Sequence, residues 1–228
     1  MKIALLSIFP KIFEGFISSS LIEKALKKEL IQITTRDIRD FAEPPHYQVD
    51  DIPYGGGAGM VMKPEPLVKA IRATKQELPN AVVVLLTPSG KQFNQRIAES
   101  LSGKDLILVA GRYEGVDQRA IDLEVDLELS IGDYILMGGE IAAMAVIEAT
   151  TRLLPGVLGN ENSARSESFS NLETSQLEAP KYTRPQNFEG LDVPEVLLSG
   201  NHSAINKWRQ DEGIKLTQEV RPDLTKKH

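Results

Sequence analysis

The five residues Leu106–Ala110 read Leu-Ile-Leu-Val-Ala, with no polar side chain among them. A strand turns alternate side chains to opposite faces, so a run that is apolar throughout must be covered on both sides, as in a parallel sheet between two helix layers. Residues 81–86 (Ala-Val-Val-Val-Leu-Leu) have the same character, and residues 3–9 open the chain with another strand-like run. Strand-like and helix-like segments alternate from there on, which is the pattern of an α/β domain with a parallel sheet.

This reading predicts a strand at 3–9 and a helix at 21–30, led by Ser18, Ser19 and Ser20 as capping groups. A short strand at 31–35 follows. The long loop 36–59 holds Pro44, Pro45, Pro53 and the cluster Tyr54-Gly55-Gly56-Gly57-Ala58-Gly59; its length alone points to function. A helix at 64–78 and the strand 81–86 come next, the latter closed by Thr87-Pro88-Ser89-Gly90. After them we expect a helix at 94–101, the strand Leu106–Ala110, and an alanine-rich apolar helix at 141–154 that packs on the sheet or on a second copy. Residues 155–180 are rich in Gly, Ser and Asn, including Ser163, Ser166, Ser168, Ser170 and Ser175, and read as a linker. Helices at 194–198 and 201–209, with Trp208 as anchor, make a small terminal unit.

At 228 residues the chain can bury one sizeable core with a smaller partner domain. The apolar runs are far shorter than the roughly 20 residues a bilayer span needs, and no basic-then-apolar leader opens the sequence, so the cytoplasm is the expected location. No cysteine is present, and His46, His202 and His228 lack ligand spacing, so disulfide and thiolate-metal frameworks are excluded. The net charge of −6 argues against a wholesale polyanion binder. Residues 181–228 nevertheless carry eight Lys and Arg against seven Asp and Glu, a net +1, so the acidity resides in the first 180 residues. A nucleic-acid partner would have to use local basic patches, most naturally at the carboxyl-terminal end.

Two runs concentrate glycines and acids where a core element would carry bulk. One is Gly111-Arg112-Tyr113-Glu114-Gly115-Val116-Asp117; the other is Ile131-Gly132-Asp133-Tyr134-Ile135-Leu136-Met137-Gly138-Gly139-Glu140. A glycine at the carboxyl end of a parallel strand lets a ligand approach the main chain, and α/β sheets bind ligands at that end. Several standard sites are absent. The Gly55 cluster lacks the spacing and the following Lys-Ser/Thr of a phosphate loop, the first strand leads into Phe9-Pro10-Lys11 rather than a dinucleotide-binding glycine fingerprint, and no G-x-S-x-G elbow occurs.

Taken in order, Ile8-Phe9-Pro10, Tyr54-Gly55-Gly56-Gly57, Gly59-Met60, the two site runs, Leu154-Pro155-Gly156-Val157-Leu158-Gly159, Tyr182-Thr183-Arg184-Pro185 and Leu198-Ser199-Gly200-Asn201-His202 resemble the bacterial tRNA (guanine-N1)-methyltransferases, the TrmD family, along nearly the whole chain. The resemblance implies a SPOUT-type parallel sheet with a deep trefoil knot and a small helical carboxyl-terminal domain. By that resemblance residues 1–159 form the knotted, S-adenosylmethionine-binding catalytic domain, 160–180 a linker contributing the general base, and 181–228 a helical tRNA-binding domain. A homodimer with active sites at its interface is likewise implied.

The implied reaction moves a methyl group from S-adenosylmethionine to N1 of the guanosine just 3′ of the tRNA anticodon. Leu86, Thr87, Pro88, Gly111, Ile131, Gly132, Asp133, Tyr134, Ile135, Leu136, Gly138 and Gly139 would surround the cofactor, and Glu114 would face either its methionine moiety or the guanine. Guanine N1 is an amide-like N–H, so methylation needs a base, and charge then develops on the neighbouring carbonyl oxygen. By resemblance Glu167 occupies the base position, where the family has aspartate, and Arg152 is the stabilising arginine. The longer arm shifts geometry more than chemistry. Ala58 also departs from the proline found in many members. Asp50, Arg112, Arg184, His202, Lys207 and Arg209 are the expected RNA-binding residues, while Glu114, Asp133, Glu140 and Glu167 offer oxygens to a Mg²⁺ ion that the family suggests. Two rival readings are a SPOUT methyltransferase acting on another RNA site and a non-catalytic tRNA-binding module.

Overall fold

In the computed structural model, which describes residues 1–159, 167–170 and 176–225, the chain opens with strand β1 (Lys2–Ser7), a 3-10 turn at Pro10–Phe13, and helices α1 (Glu14–Ile17) and α2 (Ser20–Lys27). Strand β2 (Gln32–Asp37) follows, then a long connection holding a 3-10 turn at Ile38–Phe41 and the two-residue strands β3 (Asp50–Asp51) and β4 (Val61–Met62), which pair antiparallel. Helix α3 (Pro64–Glu77), strand β5 (Val82–Gln92), helix α4 (Gln95–Leu101), strand β6 (Leu106–Ala110), helix α5 (Gln118–Glu124), strand β7 (Leu127–Ser130) and helix α6 (Glu140–Thr151) complete a compact unit, Met1–Gly159.

Five strands form one parallel sheet in the order β2-β1-β6-β5-β7. Its two faces separate by the two-residue period of a strand. Ile3, Leu5, Val84, Leu86, Leu106 and Leu108 point to the side covered by α2, α4 and α6. Ala4, Leu6, Val83, Leu85, Ile107 and Val109 point to the side covered by α3 and α5. The fully apolar run at 106–110 is therefore buried on both faces, as its composition requires.

Local signals set the helix starts. Asn94 accepts the Ile97 N–H at 3.1 Å, Asp117 accepts the Arg119 N–H at 2.9 Å, and Pro64 occupies the first turn of α3. The serines before α2 do not cap it. Ser18 Oγ donates to the Glu14 carbonyl and Ser19 Oγ to that of Gly15, at 2.8 and 2.5 Å, so they close the end of α1 instead.

Strand β5 is longer than its apolar run. It continues through Thr87-Pro88-Ser89-Gly90 to Gln92, shifts register, and pairs with β7 a second time, so that both Leu86 and Lys91 lie opposite Leu129. Helix α5 and strand β7 were not distinct in the sequence, because their polar residues conceal the period that the buried Ala120 and Leu129 still keep.

The second unit, Asn160–His228, contains the small hairpin β8 (Asn187–Phe188) and β9 (Leu191–Asp192), helix α7 (Glu195–Leu198) and helix α8 (His202–Val220). Helix α8 runs well past residue 209, since Ile205, Gly213 and Thr217 keep one face buried. Gly213 has no room for a side chain: a Cβ would meet the Leu177 carbonyl at 2.7 Å. Trp208 is half-buried and tilts against Tyr182, ring centroids 6.3 Å apart. Ser163, Ser166, Ser175 and His228 lie outside the described residues. No helix among the described residues is long and apolar enough to cross a membrane.

Candidate active site

The register shift of β5 and the carboxyl ends of β6 and β7 surround a cavity of about 460 Å³, within the range that small-molecule sites occupy. Its walls come from three stretches: 85–89, 111–118 and 128–139, with Ile121 and Ala142 behind. Leu86, Thr87, Pro88, Gly111, Glu114, Ile131, Gly132, Tyr134, Ile135, Leu136, Gly138 and Gly139 all line it; Asp133 is exposed and does not. Sequence segments far apart in the chain are thus brought together because neighbouring parallel strands end at the same edge of the sheet.

Main chain forms much of this wall. The Gly139 N–H donates to the Gly111 carbonyl at 2.8 Å, and Arg112 and Gly138 form an antiparallel bridge. A Cβ on Gly139 would stand 2.9 Å from Ala110 Cα and 3.0 Å from Gly111 N, so only glycine lets these two stretches meet. Across the cavity, Ser130 Oγ donates to the Gly132 carbonyl at 3.1 Å and fixes the turn out of β7.

The stretch from 112 to 117 is held from the other side by residues 60–62. Glu114 N–H donates to the Met60 carbonyl at 2.9 Å, Met62 N–H to that of Gly115 at 2.9 Å, and Asp117 N–H to that of Met62 at 3.0 Å; the Arg112 N–H donates to Met62 Sδ at 3.2 Å. The glycine cluster 55–59 therefore ends against the cavity. Gly59 has φ +82°, and a Cβ there would meet Glu114 Cγ at 2.4 Å. Sequence reasoning gave that cluster no neighbour, because the pairing of β4 with 114–117 joins segments some fifty residues apart.

Arg112 is anchored rather than loose. Its Nε donates to both carboxylate oxygens of Glu140 at 3.0 Å, its Nη1 to the Met137 carbonyl at 3.3 Å, and its guanidinium carbon lies 4.7 Å from the centre of the Phe9 ring. Arg39 approaches the same ring at 5.1 Å. Beside them Tyr113 adopts φ +60°; burial and then the Asp50 carboxylate push its phenol up, against the opposing pull of Arg39 and Arg112. Asp50 and Arg112 thus stand together at Tyr113. Phe9, Arg39 and Met62 were missed as site neighbours, and of these only Phe9, within Ile8-Phe9-Pro10, fell in a run that had been singled out.

The other expected residues divide between the units. Arg152 follows α6 directly and is half-buried. Glu167, also half-buried, belongs to the second unit, at a turn where the Ser170 N–H donates to its carbonyl at 3.1 Å. Glu167, Arg184 and Arg209 line a cleft of about 1080 Å³ within that unit. His202 starts α8, and Lys207 and Arg209 are each exposed on it. The cleft is larger than the sheet-edge cavity, but the latter carries the convergent glycine main chain expected of a cofactor site.

Among the described residues no three His, Cys, Asp or Glu side chains converge on one point. Glu140 is only 1% exposed and is already engaged by Arg112 and by the Ser7 hydroxyl. Among the described residues nothing supports the suggested Mg²⁺ site.

A family model described as tRNA (Guanine-1)-methyltransferase TrmD matches residues 1–227. Three curated relatives bear the name tRNA (guanine-N(1)-)-methyltransferase. That of Dictyoglomus turgidum is 52% identical over 228 residues, covering 100% of this chain and 91% of the relative. That of Carboxydothermus hydrogenoformans is 53% identical over 227 residues, covering 99% and 88%. That of Listeria monocytogenes is 49% identical over 231 residues, covering 100% and 93%.

Proposed function

The chain belongs to the TrmD family of tRNA (guanine-1)-methyltransferases, and on that footing we propose that it methylates N1 of the guanosine immediately 3′ of the tRNA anticodon, with S-adenosylmethionine as donor. The observation that carries the cofactor assignment is the sheet-edge cavity, where 86–88, 111, 131–132, 134–136 and 138–139 converge and Gly111, Gly132, Gly138 and Gly139 leave bare main chain among the larger side chains. When bound there, the cofactor supplies an electrophilic methyl group. Thr87 and the Gly111, Gly138 and Gly139 main chain would hold its polar edges, and Leu86, Ile131 and Leu136 its apolar ones.

The chain's own part is acid–base work and positioning. Glu167 accepts the N1 proton of guanine, a role worth about 10²- to 10⁴-fold in rate. Arg152 stabilises the charge that develops on the adjacent carbonyl oxygen. Asp50, Arg112 and Glu114 lie at or beside the cavity and meet the base and its neighbours. Arg184, His202, Lys207 and Arg209 contact phosphate, which positions the anticodon arm without reading its sequence. With tRNA as substrate, the enzyme works in the cytoplasm.

In this reading Met1–Gly159 holds the donor and Asn160–His228 engages the RNA, with residues 160–180 bringing Glu167 to the base. A SPOUT-type trefoil knot is supported by the double pairing of β5 with β7 and by the passage of residue 139 against 110 and 111. A homodimer is supported by the apolar side chains left outside the unit beside α6, where Ile135, Met137 and Ile141 are 80%, 91% and 56% exposed. An apolar patch next to a site calls for a covering surface.

The test is incubation with methyl-labelled S-adenosylmethionine and unmodified tRNA transcripts carrying guanosine or adenosine just 3′ of the anticodon. Label in N1-methylguanosine from the guanosine transcript alone is the expected result. Label at another position points to a different RNA target, and cofactor binding without transfer points to a binding module.

A further inference from the structure

Only two carboxylates are found buried among the described residues, Glu124 and Glu140. Glu124 joins α3 to α5 through Arg72 and Lys75, away from the cavity. Glu140 is different, because its partner lines the cavity. Burying an ionised carboxylate is costly unless it is paired and hydrogen-bonded, and an apolar residue of similar shape commonly serves stability as well or better. A buried pair beside a site therefore invites the question of what its geometry provides.

Three chain segments meet at Glu140. Ser7, at the carboxyl end of β1 and fully buried, donates its hydroxyl to Oε1 at 2.7 Å. Arg112, just after β6, gives Nε to both oxygens at 3.0 Å, and its Nη2 lies 3.0 Å from Oε2. Glu140 itself is the first residue of α6. A two-pronged guanidinium–carboxylate contact fixes orientation as well as distance. The remaining sides of Arg112 are bounded too: its guanidinium carbon lies over the Phe9 ring, the Met137 carbonyl takes Nη1, and a Cβ on Gly138 would collide with Nε. The Arg112 side chain is 19% exposed and that of Glu140 1%, so the cation is the member of the pair that faces outward.

We propose that Glu140 is a positioning residue for the RNA substrate, holding the Arg112 guanidinium over the Phe9 ring at the cavity wall so that its outer N–H groups meet an oxygen of the bound RNA. Glu140 touches no reacting atom. It acts through Arg112, while Ser7 steadies the carboxylate from behind. The proposal rests on the methyltransferase reading above.

The experiment is a double-mutant cycle in the full-length protein, with Glu140→Gln, Arg112→Ala and the pair. The readouts are kcat and KM for tRNA, the dissociation constant for S-adenosylmethionine, and the thermal midpoint. Glu140→Gln should lower kcat/KM for tRNA by on the order of ten- to a hundredfold, the cost of misplacing a supporting or positioning group, while cofactor affinity is retained. In the Arg112→Ala background the same substitution should add nothing further. A carboxylate with a merely structural role would lower both backgrounds alike, and that additive result overturns the proposal; so does an Arg112→Ala enzyme with unchanged kcat/KM for tRNA. Should Glu140→Gln fail to fold, Ser7→Ala enters the same cycle, with a smaller loss expected in the wild-type background and none beyond Arg112→Ala. Failure of the functional reading is separately visible, because the wild-type enzyme would then form no N1-methylguanosine at all.

Discussion

Gly90→Ala should destabilise the first unit far more than a one-methyl change ordinarily would. Gly90 lies in the register shift where the tail of β5 presses back on β7, and a Cβ there would stand 2.4 Å from Leu129 N and 2.6 Å from Glu128 C. Carbon atoms in ordinary contact sit about 3.5–4 Å apart, so the main chain must move by roughly an ångström. Leu129 is fully buried, and β7 cannot retreat without opening a gap behind it. Overpacking of this kind costs about 1–3 kcal/mol. Weakening the Phe93 N–H bond to the Ser130 carbonyl, now 2.7 Å, adds about 1 kcal/mol. A total of about 3 kcal/mol lowers the midpoint of a unit this size by roughly 6–12 °C. Thermal and urea unfolding followed by circular dichroism measure it, with Gly15→Ala as the control: nothing lies within 4 Å of a Cβ at Gly15, so that variant should be neutral or slightly more stable. Because Thr87, Pro88 and Ile131 line the cavity at this crossing, cofactor affinity measured by calorimetry should fall for Gly90→Ala alone. A Gly90→Ala protein melting within about 2 °C of wild type would refute the steric reasoning.

Burial pushes the Glu124 carboxyl up, but hydrogen bonds from Arg72 and Lys75 outweigh it and leave it below the ordinary value. A depressed folded pKa means that this stabilisation is complete above the unfolded value near pH 4.3 and is lost as pH falls through the folded one. Glu124→Gln should therefore cost about 1–2 kcal/mol at pH 7 and flatten the acid limb of a stability–pH curve; an unchanged acid limb counts against the pairing. Glu167→Gln should lower the methyl-transfer rate about 10²- to 10⁴-fold in single-turnover assays, whereas Glu167→Asp should retain or raise it, and equal rates for all three proteins would remove Glu167 from the base role. Charge reversal at Lys207 or Arg209 should weaken tRNA binding and reduce its salt dependence by about one phosphate contact while cofactor affinity is unchanged; unaltered tRNA affinity would take α8 out of the RNA interface.

The sheet was legible where composition left no choice. Leu106–Ala110 could only be a strand buried on both faces, and it is. Strand β7 escaped notice because only Leu129 and Ser130 of its four residues are buried, and the tail of β5 because Pro88 and Gly90 carry loop chemistry while pairing as strand. The cavity wall was legible because glycines mark where main chain can be approached. What stayed hidden was contact between distant segments: Gly59 against Glu114, and Glu140 between Ser7 and Arg112. Those neighbours are chosen by the way the sheet closes, which no local pattern encodes. Glu140 in particular looked like an available metal ligand, and burial in an ion pair removes it from that list.

Strand β1 sits inside the sheet, between β2 and β6, and its last residue reaches an acid 133 positions further along. During synthesis β2 arrives promptly, but β6 emerges only about a hundred residues after β1, which at roughly 5–20 residues per second is on the order of 5–20 s. For that interval the apolar flank of β1 and the edge that β6 will occupy stand open on a nascent chain. The protein's yield in the cell should consequently depend on translation speed and on whatever shelters emerging strands, more than its final stability would suggest.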